Sequence, residues 1–544
     1  MHAEPPDPWH AQAVPQKRRE HHFGDREVRC FAERPRSLWA LAQAAALRHA
    51  DHEAIVCGEL RWTHAELATR SAQLADVFAA HGVARGDRVA MWIGNRPEFA
   101  WVLLALQRLG AIAVPVGTRE QGPGLAYMLT QCGATMLVFD GELAPKLPAP
   151  ADAASVRHWL SLDAAAALPA GAERLDDWLA RPVPPVPTAE VAEEDVAVIL
   201  YTSGTTGHPK GAMLTHFNLV HSAMHYAACM ALHASDRSLL AVPASHVTGL
   251  VANLVAMLHV GGTTVVLPVF KADDFIALAA HERITHTLMV PAMYKLCLMS
   301  PAFASADLSA WRIGGYGGAP MAVATIDELA RRLPGLCLMN AYGATETTSP
   351  TTMIPPGQTR DHADSVGVAL PCAELRVVDD EGRPLPPGET GEVWIAGPMV
   401  VPGYWDNPLA TAASFTDGWW HSGDLGSLDE AGYLRLYDRK KDMLNRGGYK
   451  VYSVEVENVL MAWPGVVEAA VVGRPCPVLG ERVHAFVHAP GVAPDDAAVR
   501  AHCAAQLADY KVPETLTWCT EPLPRNANGK LVKRRLREQL PDQG

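Results

Sequence analysis

Residues 196–211 read Val-Ala-Val-Ile-Leu-Tyr-Thr-Ser-Gly-Thr-Thr-Gly-His-Pro-Lys-Gly. The run from Val196 predicts a short apolar strand. It leads straight into a loop of hydroxyls, glycines and one lysine. Gly204 and Gly207 let the backbone turn its N–H groups toward an anion. Thr202, Ser203, Thr205 and Thr206 add hydroxyl donors, and Lys210 adds a cation. Such a set suits a triphosphate. Its spacing is not that of the Walker loop GxxxxGK[ST], because Gly204 and Gly207 are three apart and Lys210 stands three beyond. It is a phosphate loop of another design.

Working outward from the loop, strands alternate with helices on both sides. Upstream, a helix is predicted from Leu38, then strands at Ala54–Cys57 and Leu60–Thr63. Thr63 followed by Glu66 is a capping box, which opens a helix running to about His81. Strand Arg88–Ile93, helix Glu98–Leu109 and strand Ala111–Val116 follow. Residues 141–190 are rich in Ala and Pro and end in Pro182-Val-Pro-Pro-Val-Pro187, which predicts a surface connection. Downstream, strands are predicted at Leu239–Val242, Thr263–Leu267, Thr287–Val290 and Trp311–Gly315. From Pro371 to Tyr437 the texture changes to short strands broken by Gly and Pro. A charge cluster, Asp438-Arg-Lys-Lys-Asp442, precedes a last α/β piece of small-domain size. The alternation implies an α/β fold with a mainly parallel sheet. The expected organisation is an N-terminal arm over 1–35 that is loosely held, a large domain over 36–438 with two α/β sheets and a β-rich subdomain, a hinge at 439–442, and a small mobile α/β lid over 443–544.

Bulk properties narrow the function. The chain has 544 residues, too many for one ordinary core. Apolar residues make up 49% and charged residues 19%, which is globular and not disordered composition. Net charge is −13, which argues against nucleic acid as a partner. Ten cysteines without a CxxC pair exclude a typical zinc site and read as buried, reduced thiols of a cytoplasmic protein. Residues 1–33 lack an apolar stretch, so no signal peptide is expected. Val251–Phe270 is interrupted by Asn253, His259, Gly261 and Gly262, so it reads as a buried helix and strand and not a transmembrane segment. His221 and His225 are four apart, but Ser222 stands where an HExxH motif has its Glu. They read as helix-surface histidines. No GxSxG elbow occurs.

Three further stretches carry chemistry. In Asn340-Ala341-Tyr342-Gly343-Ala-Thr345-Glu346, the carboxylate is typed to hold Mg²⁺ beside phosphates, and Thr345 to donate to a phosphate oxygen. In His421-Ser-Gly-Asp424-Leu-Gly, a buried Asp is costly unless it accepts hydrogen bonds, as from ribose hydroxyls. In Leu523-Pro-Arg-Asn-Ala-Asn-Gly-Lys530, a cation on a flexible stem is held on a loop. Lys533, Arg534, Arg535 and Arg537 beyond it read as a solvated helix face.

With the loop and these motifs in this order, the chain resembles the adenylate-forming superfamily of acyl-CoA synthetases, firefly luciferase and nonribosomal adenylation domains, from about Leu38 to Arg537. The resemblance implies an ATP-dependent carboxylate–CoA ligase that forms an acyl-AMP and then an acyl-CoA, with ATP, Mg²⁺ and coenzyme A. It implies that Gly317-Gly318-Ala319-Pro320 forms the adenine-pocket turn and that Tyr342 stacks near the adenine. Asp424 and Arg439 would hold the ribose, Glu346 the metal, and Lys530 the charge between carboxylate and α-phosphate. Lys441 would be the hinge pivot, and Gly447 and Gly448 would let the backbone pass close to the pantetheine arm after rotation. His246 would lie near the acid, in a pocket lined by Val247, Gly249, Leu250, Gly315 and Tyr316. The family's aromatic before that His is Ser245 here. So few charges favour a hydrophobic acid, fatty or aromatic. A homodimer is compatible with the sequence. The other readings are an acyl-AMP ligase that loads a carrier protein and a nucleotide-binding sensor without turnover; Lys210, Glu346 and Lys530 together argue against the sensor.

Overall fold

The computed structural model describes residues 8–9, 13–163, 168–202, 208–525 and 531–540. Its contacts divide the chain into two compact units. The first holds Met1–Leu375, Trp394–His421 and Glu430–Leu434; the second holds Arg376–Val393, Ser422–Asp429 and Arg435–Gly544. The expected hinge residues 439–442 fall within the second unit.

Two sheets dominate the first unit. One has seven strands in the order Lys210–Thr215, Val196–Thr202, Ile112–Pro115, Arg88–Trp92, Met136–Phe139, His158–Ser161 and Ala172–Arg174. Its pairings are parallel except the first, which is antiparallel. Trp92, Leu137 and Phe139 lie fully buried on it; each large side chain removed from water is worth about 2–3 kcal/mol. The other sheet has nine strands. Its core, in spatial order, is Cys337–Tyr342, Ile313–Tyr316, His286–Met289, Arg237–Leu240, Thr263–Val266 and Glu53–Cys57, all parallel. Parallel strands end on one side, so every loop leaving a carboxyl end emerges along the same edge, where α/β folds place ligands.

Local signals behave as the sequence predicts. Helix His64–Ala80 opens on Thr63, whose hydroxyl accepts from Glu66 N–H at 3.2 Å, while the Glu66 carboxylate accepts from Thr63 N–H at 2.9 Å. Both bonds satisfy donors that a bare helix start leaves unpaired. Val251–Phe270 is indeed buried helix and strand, through Thr248–Val255, Ala256–Val260 and Thr263–Val266. The first of these is a π-helical stretch, a form concentrated at functional sites.

Four expectations are corrected. The N-terminal arm is not loosely held: Lys17–His22 and Arg26–Phe31 form an antiparallel hairpin, with Cys30 and Phe31 fully buried. Arg34, its side chain 0% exposed, is ion-paired to Glu20 and Glu193, and its guanidinium holds the Glu20 carboxyl far below the usual carboxylate range. Residues 141–190 are more than a connection, since His158–Ser161 and Ala172–Arg174 extend the seven-stranded sheet; a sheet edge supplied the pairing that local propensity did not advertise. The Pro182–Pro187 run does stay free of regular structure. The basic stretch is not only a solvated face: in helix Lys533–Arg537, Lys533 pairs with Glu457 at 2.6 Å and Arg537 with Asp442 at 2.8 Å.

The fourth correction concerns His221 and His225, which are fully buried and not on the surface. The hairpin covers their helix, His216–Cys229: Phe31 stacks on His221 at 5.7 Å, and its N–H donates to His221 Nε2 at 3.2 Å. His225 has no hydrogen-bond partner on either ring nitrogen among the described residues, and burial pushes its pKa down to about 3. A group whose folded pKa is depressed gives stability that is complete above its unfolded value near 6.5 and is lost as pH falls toward the folded one. Urea unfolding at pH 7.5 and pH 5 should therefore show that His225→Leu reduces the acid-induced loss of stability by about 2 kcal/mol. An unchanged loss would mean that His225 is not held neutral.

Candidate functional site

The antiparallel register sets Thr202 opposite Lys210 across the mouth of the Gly/Thr loop. Ser203, Gly204, Thr205, Thr206 and Gly207 lie outside the described residues, as does Lys530. The Lys210 ammonium sits 4.9 Å from the ring centroid of Tyr404. A cation over an aromatic face is attracted by the ring quadrupole.

The nine-stranded sheet brings four predicted segments to its carboxyl edge. Strand Cys337–Tyr342 contains Asn340, Ala341 and Tyr342 and leads through Gly343 to the single turn Thr345–Thr347, which presents Glu346. Asn340 is buried and donates its amide N–H to Ser365 O at 3.3 Å, so it fixes the backbone there. Next to it, strand Ile313–Tyr316 carries Gly315 and Tyr316 and ends at Gly317, Gly318, Ala319 and Pro320. Gly317 is buried while the next three are exposed. Strand His286–Met289 ends at the exposed Val290. Strand Arg237–Leu240 leads to His246, which is half-buried, and to the buried Val247, Gly249 and Leu250.

That last segment is held by a residue the sequence reading passed over. Asn95 donates to Val242 O at 3.0 Å and Leu267 O at 3.2 Å, and accepts from Ala244 N–H at 2.8 Å. One amide thus ties the ends of two adjacent parallel strands. Gly249 has a steric reason to be glycine: a Cβ there would stand 2.3 Å from Pro243 O.

Glu346 is the electrostatic focus of this edge. It is 9% exposed, and the Tyr404 hydroxyl donates to its Oε1 at 2.9 Å. Among the described residues no lysine or arginine forms an ion pair with it. A buried carboxylate with a neutral partner only is costly, and a divalent cation would remove that cost, so the residues fit Mg²⁺. Just beyond it, Thr348 and Ser349 adopt positive φ of 50° and 27°, a strained conformation that clusters at functional sites. The Tyr226 hydroxyl holds that turn through Ser349 Oγ at 3.0 Å.

In the second unit, Asp424 is nearly buried and pairs with Arg439 at 3.3 Å. Its own N–H donates to Ser422 Oγ at 3.0 Å. Lys441 is exposed, next to Asp442. Gly447 and Gly448, with φ of 61° and 90°, form the turn of the hairpin Leu444–Arg446 and Tyr449–Val451. Two positive φ values are what a tight two-residue hairpin turn demands, so these glycines have a structural duty before any ligand is considered.

Comparison with known proteins places these residues in context. The model of the AMP-binding enzyme family matches residues 42–405, and that of the AMP-binding enzyme C-terminal domain matches 455–530. Feruloyl-CoA synthase of Amycolatopsis sp. is 36% identical over 503 residues, covering 92% of this chain and 98% of that protein. Long-chain-fatty-acid–CoA ligase FadD13 of Mycobacterium tuberculosis is 34% identical over 485 residues, covering 88% and 93%. The structure of O-succinylbenzoate coenzyme A synthetase from Bacillus subtilis in complex with ATP and magnesium ion matches with a TM-score of 0.81 and 29% identity, covering 92% of this chain and 99% of that one.

The Asp424–Arg439 pair offers a test that separates a ligand role from a structural one. Arg439 is 40% exposed, and such a pair contributes at most about 1 kcal/mol to stability. Asp424→Ala is expected to leave the melting temperature within about 3 °C of the parent while lowering ATP affinity by about tenfold or more, as titration calorimetry would read. Equal losses would assign the pair to the fold alone.

Proposed function

The chain belongs to the AMP-binding enzyme family and is an ATP-dependent carboxylate–CoA ligase, and from that premise we propose that Lys210, Glu346 and Lys530 carry the adenylation of an apolar or aromatic acid, with Gly447 and Gly448 facing coenzyme A in the thioester step. The observation that carries this reading is the buried Glu346 carboxylate, unpaired by any described cation, on the same edge as the acid-pocket segment and linked through Tyr404 to Lys210.

In the first half-reaction the acid carboxylate attacks the α-phosphorus and pyrophosphate leaves; no side chain forms a covalent bond. The chain positions the reactants and places charge where it develops. Lys210 and the Thr202–Gly207 loop hold the leaving phosphates. Thr345 donates to a phosphate oxygen, and Tyr342 and the Gly317–Pro320 turn border the adenine. Asp424, with Arg439, accepts from the ribose hydroxyls. Mg²⁺ on Glu346 would neutralise phosphate charge. Lys530 stabilises the negative charge shared by the carboxylate and α-phosphate. Rotation about Lys441 then withdraws Lys530, and the coenzyme A thiol attacks the acyl carbon and releases AMP.

The acid faces His246, Val247, Gly249, Leu250, Gly315 and Tyr316. His246 Nδ1 accepts from Thr248 N–H at 3.4 Å. Burial pushes the Tyr316 phenol above its ordinary range, so it stays neutral. A lining with so little charge suits a fatty or aromatic acid; the relatives named for ferulate and for long-chain fatty acids span that range. Ten free thiols and no helix among the described residues able to cross a membrane support a cytoplasmic setting.

Pyrophosphate release with ATP and Mg²⁺, measured across fatty and aromatic acids with and without coenzyme A, tests the reading. Release that rises with coenzyme A, with acyl-CoA as product, is expected for some acids. Release indifferent to coenzyme A would point to a carrier protein as acceptor. Lys530→Ala should cut adenylation by at least about 100-fold yet keep most of the thioester-forming rate from supplied acyl-AMP; equal loss in both halves would remove Lys530 from the first. Lys441→Pro should slow the second half more than the first, because proline fixes φ at the pivot.

A further inference from the structure

Tyr404 has no counterpart among the residues singled out from the sequence, yet the first unit converges on it. Gly403, Tyr404 and Trp405 lie along the strand Lys210–Thr215, which leaves the phosphate loop. Ala212 and Tyr404 form an antiparallel bridge, Met213 N–H donates to Gly403 O at 3.1 Å, and Trp405 N–H donates to Gly211 O at 2.7 Å. The same segment reaches the Glu346 turn through its backbone, since Val401 N–H donates to Glu346 O at 3.0 Å. Asn218 pins its start by donating to Pro398 O at 2.7 Å and Val400 O at 3.1 Å. Residues 398–405 thus join the exit of the phosphate loop to the carboxylate turn.

The Tyr404 side chain closes that link. It is 5% exposed. Its hydroxyl donates to Glu346 Oε1 at 2.9 Å, and its ring face receives the Lys210 ammonium at 4.9 Å. One rigid side chain with two rotatable bonds therefore touches both charged groups of opposite sign without letting them collapse into an ion pair with each other. A direct Lys210–Glu346 pair would consume the charges that phosphate and metal need.

We propose that Tyr404 is a positioning residue that holds the Glu346 carboxylate and the Lys210 ammonium apart and oriented, so that the site accepts Mg²⁺ and ATP together. It rests on the ligase reading above. It acts only through those two side chains: the hydroxyl sets the carboxylate, and the ring sets the ammonium. The two contacts can be removed separately.

The test is titration calorimetry of the full chain with ATP, in EDTA and in excess Mg²⁺, for the parent, Tyr404→Phe and Tyr404→Leu, with melting curves alongside. The Phe variant keeps the ring and loses the donor. It should bind ATP in EDTA within about twofold of the parent while losing about tenfold of the affinity that Mg²⁺ adds, the size expected when a partner that orients a metal ligand is removed. The Leu variant should in addition lose about threefold in EDTA, because the ammonium has lost its aromatic seat. A Phe variant that keeps the full Mg²⁺-dependent gain, or that loses affinity equally in both buffers, overturns the proposal. If Leu fails to fold, the Phe arm still decides. A parent that binds no ATP in either buffer would instead bring down the ligase reading, and this inference with it.

Discussion

The His246, Tyr316 and Glu346 segments of the candidate site depend on the parallel pairing of the central strands in the nine-stranded sheet. Segments as far apart in sequence as His246 and Glu346 come to one sheet edge only because their strands run the same way and end together. The pairing alone gives an edge, not a site. Side-chain amides turn the edge into fixed geometry: the half-buried Asn95 ties the ends of two strands beside the His246 segment, and the buried Asn218 ties the 398–400 backbone. In each case the amide is satisfied by main-chain atoms, which costs little energy and leaves little freedom.

Against that satisfied background, Glu346 is the exception. It is a buried charge without a described cation, followed by two non-glycine residues at positive φ. Local rules are broken in the same few residues where the chemistry is placed, which is where a consistent fold tolerates such costs. The surrounding structure supports the exception through Tyr226 on the turn and Tyr404 on the carboxylate. Both are buried phenols, and burial first of all raises the pKa of each, so both stay neutral.

How much of this was legible in the sequence depended on the range of the signal. The Thr63 capping box, the strand before the phosphate loop and the succession of strands and helices are local patterns, and the structure follows them. The Gly447-Gly448 pair was legible as a special backbone, but its hairpin duty needed the flanking strands to be recognised as strands. Tyr404 could not be read: nothing local in Pro402-Gly-Tyr404 points to a carboxylate 58 residues away. The hairpin was equally hidden. Lys-Arg-Arg-Glu-His-His at 17–22 has no apolar alternation; its register comes from a partner strand, and within it Glu20 pairs with Arg34 and His22 meets Glu194.

That hairpin explains the misread histidines and shows why it belongs to the core of the first unit. Helix His216–Cys229 is buried on all sides apart from Ala227. A helix in that position needs cover on the face that does not meet the sheet, and the hairpin provides it through Phe31 against His221 and His225. Covering the helix with a segment so rich in charge brings the Arg34 guanidinium into the interior, at a desolvation cost of several kcal/mol. Glu20 and Glu193 offset that cost by direct pairing. The same helix supplies Tyr226 to the strained turn beyond Glu346 and Asn218 to the segment that carries Tyr404. The hairpin therefore contributes no candidate site residue of its own, but it seals the element from which two supports of the site project.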